Sequence, residues 1–130
     1  MIKNFYFFLK LIFYTSNFIL IILYTFPGSI LGWFIYNDTS IQPQITSNFI
    51  ISSNHVYAFI VLSLLGCFSY EKERIKNLFI YLFSLSIILE FLHIIVPNRG
   101  FEWADLFGNI FGVLLIYFFQ KIYRRWLNLR

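Results

Sequence analysis

The sequence is short of charge, of cysteine and of alanine. Charged residues make up 12% of its 130 positions, against roughly a quarter in soluble proteins, which excludes an ordinary water-facing surface. The single cysteine, Cys67, lies in an apolar stretch and reads as a packed helix residue. With no second thiol, a disulfide framework and a cysteine metal cluster within one chain are both excluded. Only Ala58 and Ala104 are alanine, a compositional bias from which no function follows.

What fills the chain instead is apolar. Hydrophobic residues are 59% of the total, with 18 Phe and 9 Tyr. Apolar runs recur along the whole length, so a soluble domain with one anchor is excluded, and the bilayer is the solvent of the fold. The net charge of +4 comes from basic residues at the ends of apolar segments, a topological pattern that speaks against nucleic-acid binding. The start of the chain imitates a signal peptide, but no small-x-small cleavage site precedes Pro27, so an uncleaved first helix is expected.

Four apolar stretches approach the roughly 20 residues needed to cross about 30 Å of hydrocarbon. The expected helices cover about 5–30, 49–70, 78–96 and 101–120, in a single membrane domain spanning residues 1–130. The first runs from Phe5 to Pro27, or on toward Tyr36 if Lys10 reaches back to the headgroups. Gln42-Pro43-Gln44 breaks any helix in the polar 37–48 segment. Glu71 to Asn77 is a charged connector, and Pro97-Asn98-Arg99-Gly100 is a tight turn. The predicted fold is therefore an all-α membrane protein, a bundle of four transmembrane helices.

Four crossings place the N-terminus, the 71–77 connector and the C-terminal tail on one side. Every Lys and Arg except Arg99 falls there, so the positive-inside rule makes that side, and both termini, cytoplasmic. Tyr36, Tyr70, Trp103, Tyr123 and Trp126 lie near segment ends, where an interfacial aromatic belt belongs. The phenylalanines read as lipid-facing or packing residues.

Ionisable groups at membrane depth cost several kcal/mol unless paired or hydrated, and four are present: His55, Glu90, His93 and Asp105. Counting about 1.5 Å per residue from the cytoplasmic ends puts His55, His93 and Asp105 at one level, about 24 Å out. Glu90 and Asn109 lie about one turn deeper. Glu90 and His93 are three apart, Asp105 and Asn109 four apart, so each pair shares a helix face. Gly108 and Gly112 interleave with that face and permit a close helix approach. Arg99 lies in the turn joining the two polar helices, positioned to pair with Glu102 or Asp105 or to meet an anion from outside. Interhelical polar glue is the competing reading of such groups, but five of them level on three helices favour a site. A metal site from His55, His93, Glu90 and Asp105 is chemically possible, but no compact ligand motif supports it, so no metal or cofactor is assigned. Ser52, Ser53 and Asn54 read as loop and helix-start residues.

The run Glu90-x-x-His93-x-x-x-Pro97-x-Arg99, then Asp105-x-x-x-Asn109-x-x-Gly112, resembles the signature of the VanZ-like membrane proteins. The resemblance covers about residues 52–118 and includes His55 with the aromatic Phe59 four residues on. His93 stands where the family usually has Gln, and Ile51 to Asn54 replace its Asp-Lys pair. The family takes its name from a protein associated with low-level resistance to the glycopeptide teicoplanin, and it has no settled biochemical activity. The resemblance implies a multi-pass protein of the bacterial inner (cytoplasmic) membrane, part of the cell envelope.

Two functions are carried forward. In the first, the chain binds or modifies an amphiphilic envelope component or antibiotic, with Glu90, His55 and Asp105 as catalytic candidates and Arg99, His93 and Asn109 as binding candidates. In the second it is a non-enzymatic accessory subunit of a larger membrane protein complex. Membrane lipids are partners in both, and the residues leave open whether the chain is an enzyme. An ion pathway ranks last, because nothing polar continues the cluster through the inner halves of the second to fourth helices.

Overall fold

The computed structural model describes residues 2–48 and 50–129, with only the backbone of Ile2 and Lys3. Met1, the expected helix start at Phe49 and the terminal Arg130 lie outside the described residues. The described residues form helices and loops, without strands. In chain order the helices are α1 (Ile2–Thr25), α2 (Ile30–Tyr36), α3 (Ser53–Ser69), α4 (Ile75–Leu92) and α5 (Trp103–Asn128), with a short 3₁₀ turn at Lys72–Arg74 before α4. Three segments are long and apolar enough to cross a membrane: Asn4–Thr25, Lys72–Leu92 and Trp103–Asn128. They mark a multi-pass membrane protein, with α3 as a shorter apolar helix beside them.

The sequence reading placed several helix ends differently. α1 stops at Thr25, because Pro27 lacks an N–H and Gly28 adopts a φ of +83° that no helix uses. The apolar residues beyond form a separate helix, α2, started by the Ser29 hydroxyl accepting from Gly32 N–H at 2.9 Å and ended by Asn37 in the left-handed region. α4 ends at Leu92 rather than Val96. His93, Ile94 and Ile95 donate back only three residues, to Glu90, Phe91 and Leu92, which tightens the chain ahead of Pro97. α5 continues to Asn128, since loss of apolar character ends a membrane span without ending a helix. Its Arg124 guanidinium donates to the Lys72 carbonyl at 3.3 Å.

The four long helices alternate in direction, as side chains at the two ends of the bundle show. At one end the Tyr24 hydroxyl, late in α1, meets His55, early in α3. At the other the Tyr14 and Tyr70 hydroxyls are 2.8 Å apart, with Lys10 Nζ over the Tyr70 ring at 5.9 Å. Phe13, Phe59, Leu62, Leu82, Leu89 and Val113 fill the interior between them.

Lipid tails are as apolar as leucine, so burial against lipid gains little, and these helices must associate through fit and polar contacts. α5 and α3 show how. A Cβ added to Gly112 would lie 2.6 Å from the Val56 carbonyl oxygen and 2.9 Å from the Phe59 Cβ. One added to Gly108 would lie 2.8 Å from the Ser52 carbonyl oxygen. The two glycines thus set the α3–α5 separation that brings His55 to the face of α5 carrying Asp105 and Asn109.

Candidate functional site

Each helix reaches the polar end of the bundle at a terminus: α1 and α4 with their last turns, α3 and α5 with their first. Glu90, His93 and Asn109 are fully buried, and His55 is 8% exposed. The structure therefore brings His55, Glu90, His93, Asp105 and Asn109 into one cluster.

Asn109 anchors it. Its amide nitrogen donates to the Ser86 carbonyl at 3.2 Å, which turns the amide oxygen toward α1 and α3. That oxygen accepts from the Tyr24 hydroxyl at 2.6 Å and lies 3.0 Å from His55 Nδ1. An amide oxygen only accepts, so His55 Nδ1 carries a hydrogen. The Tyr24 hydroxyl, 2.9 Å from Nδ1, has its own hydrogen on Asn109 and receives a share of that one. His55 is thereby left with Nε2 facing Asp105 Oδ2 at 3.4 Å.

Glu90 and His93 form a second linked pair. His93 Nε2 lies 3.1 Å from the Tyr24 carbonyl oxygen, so Nε2 is the donor. Its Nδ1 faces Glu90 Oε1 at 3.3 Å, and one proton must lie between those two atoms. Glu90 Oε1 also accepts from the Glu102 backbone N–H at 3.1 Å, tying α4 to the start of α5. Glu90 Oε2 is buried without a hydrogen-bond partner and lies 3.9 Å from His55 Nδ1.

Arg99 does not make the pairs expected of it. No ion pair joins it to Glu102 or Asp105 among the described residues. Its Nη2 donates instead to the Leu23 carbonyl at 2.9 Å, and its Nε is buried without a partner. The reason is α1, whose last carbonyls have no intrahelical donor and present the negative end of a helix dipole. Arg99 and His93 cover two of them from across the bundle. Burial lowers the Arg99 pKa, while Tyr24, Asp105 and Glu90 act to raise it; from so high an ordinary value the guanidinium stays charged.

Beside the cluster lies a cavity of about 700 Å³ between α1, α2, the 42–45 segment and α3. Ile19, Leu20, Leu23 and Leu62 give it apolar walls, while Tyr24, His55, His93 and Arg99 line its polar part. The loop over it is fastened to the start of α3. Asn54 donates to the Pro43 carbonyl at 2.6 Å and accepts from Ile45 N–H at 3.0 Å, and the Ser53 hydroxyl donates to the Thr46 carbonyl at 2.7 Å. These are the loop and helix-start duties expected of Ser53 and Asn54.

Tyr24 is the residue that sequence reasoning missed, though it touches His55 and Asn109 through its hydroxyl and stacks on His93 at 5.4 Å between centroids. Its signal was a phenolic group three residues before Pro27, inside the span rather than at its edge. No charged residue marks the Pro27 end of the first apolar run, so depth counting had no origin there. Compared with known proteins, the chain matches no family model, no curated protein and no solved structure.

Proposed function

We propose that this is a VanZ-like protein of the bacterial cytoplasmic membrane that binds or modifies an amphiphilic envelope component, or an antibiotic of that kind, at the outer end of a four-span bundle. The observation that carries the reading is the cavity beside the cluster. Its apolar walls and its polar part with Arg99, His55 and His93 divide as an amphiphile divides, and about 700 Å³ falls in the range of ligand pockets, roughly 300–1,000 Å³. Glu90 is the acid or base, with His55 and Asp105 beside it, and Arg99 holds a phosphate or carboxylate. His93 and Asn109 orient these groups.

The count of four spans includes α3. Its 17 residues give only about 25 Å of helix, yet its ends meet the levels of Tyr24 and Tyr14 on α1. With four crossings, every described Lys and Arg except Arg99 lies toward the end of the bundle away from the cluster, which supports cytoplasmic termini.

The accessory-subunit reading draws on the exposed aromatic faces of α1 and α2, where Phe7 is 70% and Phe34 73% exposed. Extraction in mild detergent, followed by mass spectrometry of what co-purifies, separates the two. A stoichiometric lipid or cell-wall precursor is the expected result. A stoichiometric protein complex with no such amphiphile replaces the proposal with the accessory role.

A further inference from the structure

We propose that His55, Glu90 and Asp105 form a site for a divalent transition-metal cation of the zinc type. One ligand atom from each of the three lies within 4.8 Å of the others, although they come from α3, α4 and α5 and no local sequence motif links them.

Two observations point to a cation rather than to a chance meeting of polar groups. The first is the orientation of His55. Its Nδ1 hydrogen is directed at the Asn109 amide oxygen, which is itself fixed by the bond from Asn109 to the Ser86 carbonyl. In the neutral imidazole the Nε2 lone pair then faces Asp105 Oδ2, lone pair against lone pair, and a positive charge must lie between them. Metal-bound histidines have this arrangement: one nitrogen on the metal, the other donating to an oxygen that sets tautomer and ring plane. The separation agrees with it. Two ligand atoms about 2.1 Å from a tetrahedral centre stand about 3.4 Å apart, and Nε2 and Oδ2 are 3.4 Å apart. A charge-assisted hydrogen bond between the same atoms is shorter, about 2.7–2.9 Å.

The second observation is Glu90. The residue is fully buried, and its Oε1 is occupied by His93 and the Glu102 N–H. Oε2 has no hydrogen-bond partner and lies 3.9 Å from His55 Nδ1. An unpaired carboxylate oxygen is costly in such surroundings, and a cation shared with Asp105 would satisfy it. Asp105 Oδ2 and the free Oε2 of Glu90 offer the ion two oxygen ligands beside the imidazole. One imidazole nitrogen with carboxylate oxygens suits zinc or manganese better than magnesium or calcium, which prefer oxygen alone. Asp105, with its side chain 20% exposed, supplies a way in. The site does not depend on the neighbouring cavity holding an amphiphile, and a bound ion would take the place of Glu90 as a free acid or base.

The test uses the full chain, purified with a tag free of histidine, stripped with chelator and reconstituted into lipid nanodiscs. Zn²⁺ is titrated by calorimetry, and the loaded protein is examined by X-ray absorption at the zinc edge. Equimolar binding is expected, with nitrogen and oxygen donors at about 2.0–2.1 Å and the scattering of a single imidazole. Tyr24→Phe, which removes a partner of the His55 ring but no ligand, should weaken Zn²⁺ by about tenfold. Asp105→Asn should weaken it further, with an unchanged elution profile showing that the variant folds. Failure of the wild type to bind equimolar Zn²⁺ would mean that a proton alone joins His55 to Asp105, and the proposal falls. A zinc shell with no imidazole, or with two, overturns it equally, and neither result depends on any variant folding.

Discussion

His93 Nε2 donates to the main-chain carbonyl of Tyr24 at 3.1 Å, and the two rings stack with an interplanar angle of 17°. One side chain from the end of α4 thus closes the end of α1 and supports the phenol that reaches His55 and Asn109. His93→Leu removes the donor and strands the Tyr24 carbonyl, whereas His93→Gln keeps a donor of similar reach. Hydrogen bonds between membrane helices are worth on average about 0.6 kcal/mol and at most about 1.7. The Leu variant should lose about that much in thermal or denaturant unfolding in detergent, and the Gln variant less. Equal losses would show that the ring stack, rather than the hydrogen bond, holds α1.

The α3–α5 contact gives a large expected effect of a single methyl-sized change. Gly112→Ala places a Cβ 2.6 Å from the Val56 carbonyl oxygen, a backbone atom that cannot rotate away. Overpacking of this kind costs about 1–3 kcal/mol. Gly100→Ala, where an added Cβ meets nothing within 4 Å, is the control and should unfold as the wild type does. A Gly112→Ala protein as stable as that control would show that α3 and α5 are free to separate.

Orientation is checked by cysteine labelling of intact cells. On a Cys67→Ser background, Asn98→Cys should react with an impermeant reagent from outside, and Asn128→Cys should react only after lysis. The opposite pattern would put the cluster on the cytoplasmic side.

Two conservative replacements separate a working site from a scaffold. Glu90→Gln keeps shape and hydrogen bonding but removes the charge and the titratable proton. Arg99→Lys keeps the charge but loses the planar fork. Both variants should insert and accumulate normally, and both should lose the co-purifying amphiphile. Retention of that ligand by both would remove Glu90 and Arg99 from its recognition.

How much of this was legible in the sequence depends on how local the signal is. Glu90 with His93, and Asp105 with Asn109, could be placed because helix geometry fixes which residues share a face, and because charged segments give α3, α4 and α5 a depth origin. α1 has no such marker at its C-terminal end, so Tyr24 escaped. α2 escaped because seven apolar residues after a proline look like more of the same span. Arg99 was read by charge alone, toward Glu102 and Asp105, whereas free main-chain carbonyls at the end of α1 claim it. Such carbonyls are present at every helix end and leave no trace in composition.

The closure of α1 also bears on the order of assembly. Its capping groups lie far along the chain, His93 69 residues beyond Tyr24 and Arg99 76 residues beyond Leu23. As the chain emerges from the ribosome α1 comes first, with these carbonyls still open to headgroup water. They cannot be covered until α4 and the following turn have been made. The capping of α1 is therefore complete before α5 adds Asp105 and Asn109 to the polar cluster, and a chain cut short before Arg99 would lack both the Leu23 contact and those two residues.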